Sequence, residues 1–356
     1  MHLALIKRTL LLLLATCFLP QISIAEEDTR FRLAWTDFPS ARPFRDLKNS
    51  ELLGLLESRY DLRLDILKAK DKAEISYLYR TGAVDLMTTS NVDLLTMAAI
   101  HDDMPLSIVL FPTDVSDGAD ALLLRDSMSI DDLPGARIGL RLNSTSHYLL
   151  LRTLDSLYEP GMRWPILFDL EGRSMVDALE TGRIDAVVTT EPLSTLLRNA
   201  LNMSAVSDSA DFPGEIVDLV VIRKDVYQDR PKLAQLVIEG WYHLLARRTE
   251  FLAPAADDLM GDYGPNAQYS VSGLSTISSP EDGIRVFESG HTKAAMLRAK
   301  AFVDQVNERG TFDSPLGGFG IRFPDGTTIG DPNNVRIEFA SEYLLKSRAQ
   351  DMPVRP

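Results

Sequence analysis

The chain has 356 residues, a formal net charge of −14 and a single cysteine, Cys17. That charge excludes a nucleic-acid partner held by phosphate neutralisation, which needs clustered Lys and Arg. One cysteine excludes a disulfide framework and thiolate metal sites, and a chain of this length exceeds one comfortable core, so two lobes are expected.

Lys7-Arg8, an apolar run over 9–18 and the small-x-small triplet Ser23-Ile24-Ala25 open the sequence. Residues 1–25 therefore read as a cleaved secretory signal, because the run is too short to span a bilayer with ordinary flanks. Leu14-Ala15-Thr16-Cys17 loosely resembles a lipoprotein signal. The threonine before Cys17 and the second apolar stretch after it favour soluble export to the periplasm over lipid anchoring. Loss of Lys7 and Arg8 leaves the rest more acidic, which suits a solvated surface and is compatible with a cationic ligand.

Residues 31–35 form a short first strand that ends in the polar loop Thr36-Asp37-Phe38-Pro39-Ser40. Leu52, Leu53, Leu55 and Leu56 give 47–59 a helical spacing, and Leu62, Leu64 and Ile66 alternate as a strand over 61–67. A helix over 73–80 and strands at 105–111 and 121–124 follow. A new βαβ series begins at Pro134-Gly135, and its first strand ends at Asn143-Ser144-Thr145-Ser146. The pattern then predicts a helix over 147–158, a strand over 164–168, a helix over 174–180 and a buried β-branched strand over 216–222. A long amphipathic helix containing Trp241 covers 231–248. Residues 253–279 are polar and Gly/Ser-rich, and 280–307 are helical. Residues 317–339 form a hairpin-like tail around Pro324-Asp325-Gly326-Thr327.

One passage occurs twice, 100 positions apart. Thr81-Gly82-Ala83-Val84-Asp85 runs into an apolar strand ending at Thr88-Thr89, and Thr181-Gly182-Arg183-Ile184-Asp185 into one ending at Val188-Thr189. Each copy reads as helix, glycine turn, buried parallel strand and polar loop. Ligands of open α/β sheets sit outside the carboxyl ends of the strands, so two such units suggest two lobes around a shared cleft. The expected class is α/β, with each lobe a mostly parallel sheet flanked by helices. Lobe 1 is 26–124 with 222–356, and lobe 2 is 125–221. The return of the chain gives two crossings, the anatomy of a hinge.

The strand-end loops supply the candidate ligand residues. Asp37 either accepts a paired hydrogen bond from a planar cation or caps a turn. Phe38 and Trp35 offer ring faces to a cation, although Trp35 also suits the core. Ser90, Asn91 and Asp93 exceed what one helix cap needs. Ser144, Thr145 and Ser146 either cap the next helix or meet a ligand's polar atoms at its N-terminus. His147 reads as a first-turn surface residue. Thr190 and Glu191 end the second repeat. Glu191 is the leading candidate for a cation, and an acid at a helix start is also favourable by itself. Asp218 interrupts an apolar strand and Asp120 precedes a crossing; each pairs structurally or faces the cleft. Asp114 and Asp117 read as loop surface. The histidines have no metal-ligand spacing, and neither metal nor cofactor is implied.

Several longer motifs carry a family resemblance. These are the connection Ala121-Leu122-Leu123-Leu124-Arg125 to Leu133-Pro134-Gly135-Ala136-Arg137-Ile138-Gly139, then Ser144-Thr145-Ser146-His147-Tyr148-Leu149-Leu150, Pro213-Gly214-Glu215-Ile216-Val217-Asp218-Leu219, and Gly320-Ile321-Arg322-Phe323-Pro324-Asp325-Gly326-Thr327-Thr328-Ile329-Gly330-Asp331. The chain resembles periplasmic substrate-binding proteins of ABC importers, of the nitrate/sulfonate/taurine type. Within these it is most similar to the urea- or guanidine-associated group, and the tail motif is its most specific link. Ser90-Asn91-Val92-Asp93 stands where that group has Thr-Asn-Met-Asp, and Thr190-Glu191-Pro192 where it has Trp-Asn-Pro. The resemblance implies a two-lobed, type II periplasmic binding protein fold and a partner permease in the inner membrane. It also implies that the loop at Ser144 contributes to ligand binding.

The expected function is capture of a small nitrogen-rich ligand, guanidine- or urea-like, by a monomer whose lobes close on it. Two alternatives share the fold: a receptor for a small anion such as a sulfonate, taurine or nitrate, with Arg42 and Arg141 as donors, and a sensor that reports to a membrane receptor. An exported enzyme is a fourth reading, but no nucleophile elbow, metal-binding His pair or nucleotide loop is present.

Overall fold

The computed structural model describes residues 29–36, 38–157, 162–246, 273–288, 290–308 and 318–349. The segment 1–25 read as a signal, with Cys17, and Asp37 and most of the polar stretch 253–279 lie outside the described residues. The strands are β1 (Arg30–Trp35), β2 (Arg63–Lys68), β3 (Leu86–Ser90), β4 (Ser107–Ser116), β5 (Asp120–Arg125), β6 (Arg137–Leu140), β7 (Ile166–Asp169), β8 (Ala186–Thr190), β9 (Met203–Asp208), β10 (Val217–Arg223), β11 (Leu274–Thr276), β12 (Gly320–Arg322), β13 (Thr328–Gly330) and β14 (Val335–Phe339). The α-helices are α1 (Arg42–Lys48), α2 (Glu51–Tyr60), α3 (Lys72–Arg80), α4 (Asn91–Ile100), α5 (Thr145–Leu157), α6 (Arg173–Glu180), α7 (Leu193–Leu201), α8 (Lys224–Asp229), α9 (Pro231–Ala246), α10 (Pro280–Glu288), α11 (Gly290–Glu308) and α12 (Glu342–Ala349).

Two mixed sheets organise these elements. One has the order β13-β12-β14-β4-β10-β3-β1-β2 with β11 added on β4, and the other has the order β7-β6-β8-β5-β9. β1 and β3 are parallel, as are β6, β7 and β8. Each sheet also contains an antiparallel strand next to a crossing, β10 in the first and β5 in the second. The sheet assignments put strand 120–125 in the second sheet and strand 217–223 in the first. The chain therefore crosses between Ser116 and Asp120 and between Asp208 and Val217, earlier than 124 and 221. The described residues from Phe31 onward fall in one compact unit, and side-chain contacts such as Arg141–Asp93 and Ser90–Thr145 also join the sheets.

The repeated passage is a scaffold device. After α3 and α6 the chain turns through Gly82 (φ +72°) and Gly182 (φ +69°), a left-handed conformation that glycine adopts without steric cost. Asp85 then grips Arg32 of β1: its backbone N–H donates to the Arg32 carbonyl (2.8 Å), and its carboxylate accepts from the Arg32 N–H (2.8 Å). Asp185 does the same to Arg137 of β6, at 2.7 and 3.0 Å. The repeated spacing thus sets the parallel register of β3 on β1 and of β8 on β6.

Some elements differ from the sequence pattern. The helix expected over 47–59 is two helices, because Asn49 and Ser50 break it and the Ser50 hydroxyl donates to the Leu47 carbonyl. The helix over 280–307 likewise divides near residue 289 into α10 and α11. The tail is a β12–β13 hairpin, and β14 then carries it onto β4 in parallel.

The main core lies around the first sheet, where Trp241 is buried against Phe44 (ring centroids 4.9 Å apart) and Phe111 (5.8 Å). Trp241→Ala should lower unfolding stability by about 3–5 kcal/mol with an unchanged denaturant slope, measured by urea titration.

Candidate functional site

The carboxyl ends of the two sheets' strands meet at a cluster of charged and hydroxyl side chains. Three neighbouring strands of the first sheet align Asp114 (β4), Asp218 (β10) and Ser90 (β3) in one row. Residues directly opposite on adjacent antiparallel strands project to the same face, so the two aspartates share a surface. Asp120 follows immediately, at the start of β5, and stands opposite Thr190 of β8.

Asp93 joins the two sheets. Its helix α4 starts at the end of β3, with the Ser90 hydroxyl capping the Asp93 N–H at 3.0 Å. One carboxylate oxygen accepts from Lys72 Nζ at 2.8 Å and the other from Arg141 at 2.6 Å. Arg141 follows β6 of the second sheet, so this ion pair spans the gap between sheets. A second link lies beside it, Ser90 Oγ to Thr145 Oγ1 at 2.9 Å. Burial works against the Asp93 charge, but Arg141 and then Lys72 overcome it and hold the carboxyl down at about 2.

The remaining three aspartates have no such partners. Burial pushes Asp218 up to about 6, with Lys72 opposing and Asp120 adding to the rise; Ser40 Oγ donates to it at 2.9 Å. Asp114 is buried and held well above the usual carboxylate range, first by burial and then by Asp218. Its Oδ2 accepts from Thr113 Oγ1 at 3.1 Å, and its buried Oδ1 has no hydrogen-bond partner among the described residues. Burial also raises Asp120, against a 2.7 Å hydrogen bond from Ser116 Oγ. Trp35 Nε1, at the end of β1, is likewise buried and unpartnered among the described residues. The site thus sets four carboxyls against two cations, both already engaged with one of the four.

The predicted residues separate into three groups. Ser90, Asp93, Asp120, Thr145 and Asp218 come together in this cluster, and Phe38 borders it, with Lys72 Nζ 5.8 Å from its ring centroid. Thr190 stands beside Asp120 in register. Asn91, Ser144, Ser146 and Glu191 are engaged in backbone and capping interactions. Asn91 clamps the second crossing, donating to the Glu215 carbonyl (2.9 Å) and accepting from the Val217 N–H (3.1 Å). Ser144 Oγ donates to the Arg141 carbonyl and accepts from the Ser146 N–H. Glu191 is buried, with its carboxylate accepting from the Ser194 and Thr195 hydroxyls (2.8 and 2.9 Å) and the Thr195 N–H at the start of α7. Asp37 lies outside the described residues.

The structure corrects two surface assignments. Asp114 is a buried residue of β4, which runs on past the turn-like Pro112-Thr113 through irregular register with β10. His147 is buried edge-on against Phe302, at 5.4 Å between centroids. Lys72 and Ser40 escaped the sequence pattern. The signal for Lys72 was present: a cation at the first position of a helix opposes the helix dipole.

A cavity of about 280 Å³ adjoins the cluster, between α3 and α4 and under the 141–143 loop; Lys72, Arg80, Thr88, Asp93, His101 and Arg141 line it. Among the described residues, no group of three or more His, Cys, Asp or Glu is arranged to hold a metal ion, and no helix is long and apolar enough to cross a membrane.

No family model and no curated protein matches the sequence. Solved structures do. The alkanesulfonate-binding protein SsuA from Xanthomonas axonopodis pv. citri, bound to MOPS, superposes with a TM-score of 0.55 at 15% identity, covering 78% of this chain and 96% of that one. The chain has the periplasmic-binding-protein fold. The periplasmic aliphatic sulphonate-binding protein SsuA from Escherichia coli gives a TM-score of 0.54 at 13% identity, with 81% and 94% covered. A Candida albicans gene product with the generic form of this fold gives 0.56 at 14%, with 78% and 94% covered. In the periplasmic-binding-protein fold described above, the acidic row occupies the strand ends that face the second sheet.

The raised carboxyls give stability a defined pH dependence. Between the unfolded value near 4 and about 6, the folded protein binds more protons at Asp218 than the unfolded chain does. Stability therefore falls as pH rises through that window, and Asp114 and Asp120 act in the same direction. Asp218→Asn should flatten the melting-temperature profile between these pH values and stabilise the protein at neutral pH. An unchanged slope would show that Asp218 titrates as an ordinary carboxylate.

Proposed function

We propose that this protein is an extracytoplasmic solute receptor of an ABC importer, exported to the periplasm by a signal peptide, residues 1–25, that is then cleaved. On this reading it is a monomer that binds a small nitrogen-rich cation, guanidinium-like, and hands it unchanged to an inner-membrane permease. The sheets belong to two lobes, with the crossings at 116–120 and 208–217 as the hinge. The ligand stabilises the closed form because only there does it touch both lobes.

One observation supports the charge of the ligand: Asp114 and Asp120 are buried with the half-buried Asp218 beside them, while both nearby cations are committed to Asp93. Buried carboxyls are costly unless paired, and a planar cation with several N–H donors would satisfy more than one of them at once. Such a cation binds the ionised acids, so its affinity should rise with pH as Asp218 deprotonates. A second reading, capture of a small sulfonate or similar anion, is favoured by the cavity in which Lys72, Arg80, His101 and Arg141 converge.

Thermal shifts with guanidinium, methylguanidinium, urea, taurine and an alkanesulfonate discriminate the two. Stabilisation by the guanidinium compounds alone supports the cation reading; stabilisation by taurine or the alkanesulfonate alone overturns it. For a bound cation, Asp120→Asn and Asp218→Asn should each weaken affinity roughly 10- to 100-fold by calorimetry. Glu191→Gln should change it by less than about twofold, because that carboxylate serves the start of α7.

A further inference from the structure

We propose that Lys72 is a tethered stand-in for the ligand's charge: it sits at the mouth of the acidic row, and a cationic ligand binds by displacing it. This rests on the cation reading above and goes further, by naming the residue that sets affinity.

The placement of Lys72 is hard to explain otherwise. It is the first residue of α3, where the helix's exposed N–H groups and dipole disfavour a positive charge. The helix start is already served without it, since the Asp71 side chain accepts from the Glu74 N–H and the Glu74 carboxylate accepts from the Lys70 N–H. Asp93 has a second cation in Arg141, whose guanidinium comes from the opposite sheet. The Lys72 ammonium instead lies between the Phe38 ring (5.8 Å) and Asp93 (2.8 Å), within electrostatic reach of Asp218 and Asp120. A cation against an aromatic face and beside carboxylates is the environment that a guanidinium ligand would need.

Lysine also suits displacement better than arginine. Its ammonium is a compact charge on a flexible four-carbon stem, able to swing out and recover its hydration, whereas a guanidinium engaged in directed hydrogen bonds is held by its planar geometry. The Lys72 side chain retains 29% of its exposure, so solvent is already within reach. Its withdrawal would leave Asp93 paired with Arg141 and the link between sheets intact. A resident counter-ion of this kind keeps the empty site from carrying uncompensated buried charge, and it lowers apparent affinity by the free energy needed to move it.

The test uses the mature protein with Lys72→Met and Lys72→Gln, both checked for a cooperative melt. Binding of guanidinium and methylguanidinium is measured by calorimetry, and that of taurine in parallel. Tighter guanidinium binding in both variants, by tenfold or more, is the expected result. Equal or weaker guanidinium binding in the variants, with the wild type still binding it, overturns the displacement and leaves the cation reading standing. Taurine binding by the wild type that both variants lose, with no guanidinium binding by any form, overturns both. An independent readout comes from reductively methylated protein, where the methyl resonance of Lys72 is assigned by its absence in Lys72→Gln. Guanidinium should move that resonance toward the position of a solvated lysine. A resonance that stays in place while guanidinium binds overturns the proposal.

Discussion

The carboxylate of Asp93 is the constraint on which the site depends. It takes one cation from its own sheet and one from the other. A carboxylate this buried is costly unless paired, so the position of Arg141, and with it the loop after β6, follows from Asp93. The Ser90–Thr145 hydroxyl pair lies beside this bridge and has meaning only when the bridge is made. Removing Asp93 would leave two cations, Lys72 and Arg141, without their shared carboxylate. The remaining aspartates can stay under-compensated because Asp93 concentrates the available positive charge.

Much of the architecture could be read from the residues, and the reasons are local. The two Thr-Gly-x-(Val/Ile)-Asp passages marked the start of parallel pairing, because a left-handed glycine and an aspartate three residues on have one geometric use there. The β-branched run at 216–222 announced a buried strand. What it could not announce was which sheet would take it, since a strand next to a crossing fits either sheet until its neighbours are known. Asp114 was obscured for a similar reason. Pro112-Thr113-Asp114 has the chemistry of a turn, and only the irregular register between β4 and β10 keeps it inside a strand.

The site was partly legible. Aspartates at strand ends stood out, and five of the selected residues do converge. Glu191 shows the limit of such reasoning: the same acid at the same helix start satisfies a capping role completely, and hydroxyls three and four residues later, Ser194 and Thr195, complete it. The fold itself is indifferent to ligand charge. The sulfonate binders that share this fold do so at 15% identity or less, a distance at which strand order persists while every loop at the strand ends is free to change its chemistry.

The two crossings are fastened to each other. The Ser116 N–H donates to the Ile216 carbonyl at 3.0 Å, Ser209 Oγ meets both Ser116 Oγ and the Gly118 N–H at 2.7 Å, and the Gly273 carbonyl accepts from Asp117 and Ala119. They therefore form a ribbon instead of two independent cords. A hydrogen-bonded ribbon is compliant to bending out of its plane and stiff to shear and torsion within it. Movement of one sheet against the other is thereby channelled into a single soft direction. Asn91, one residue beyond Ser90 of the site, is stitched to the edge of that ribbon at Glu215 and Val217. The ribbon and the acidic row are thus joined through the same short segment of chain.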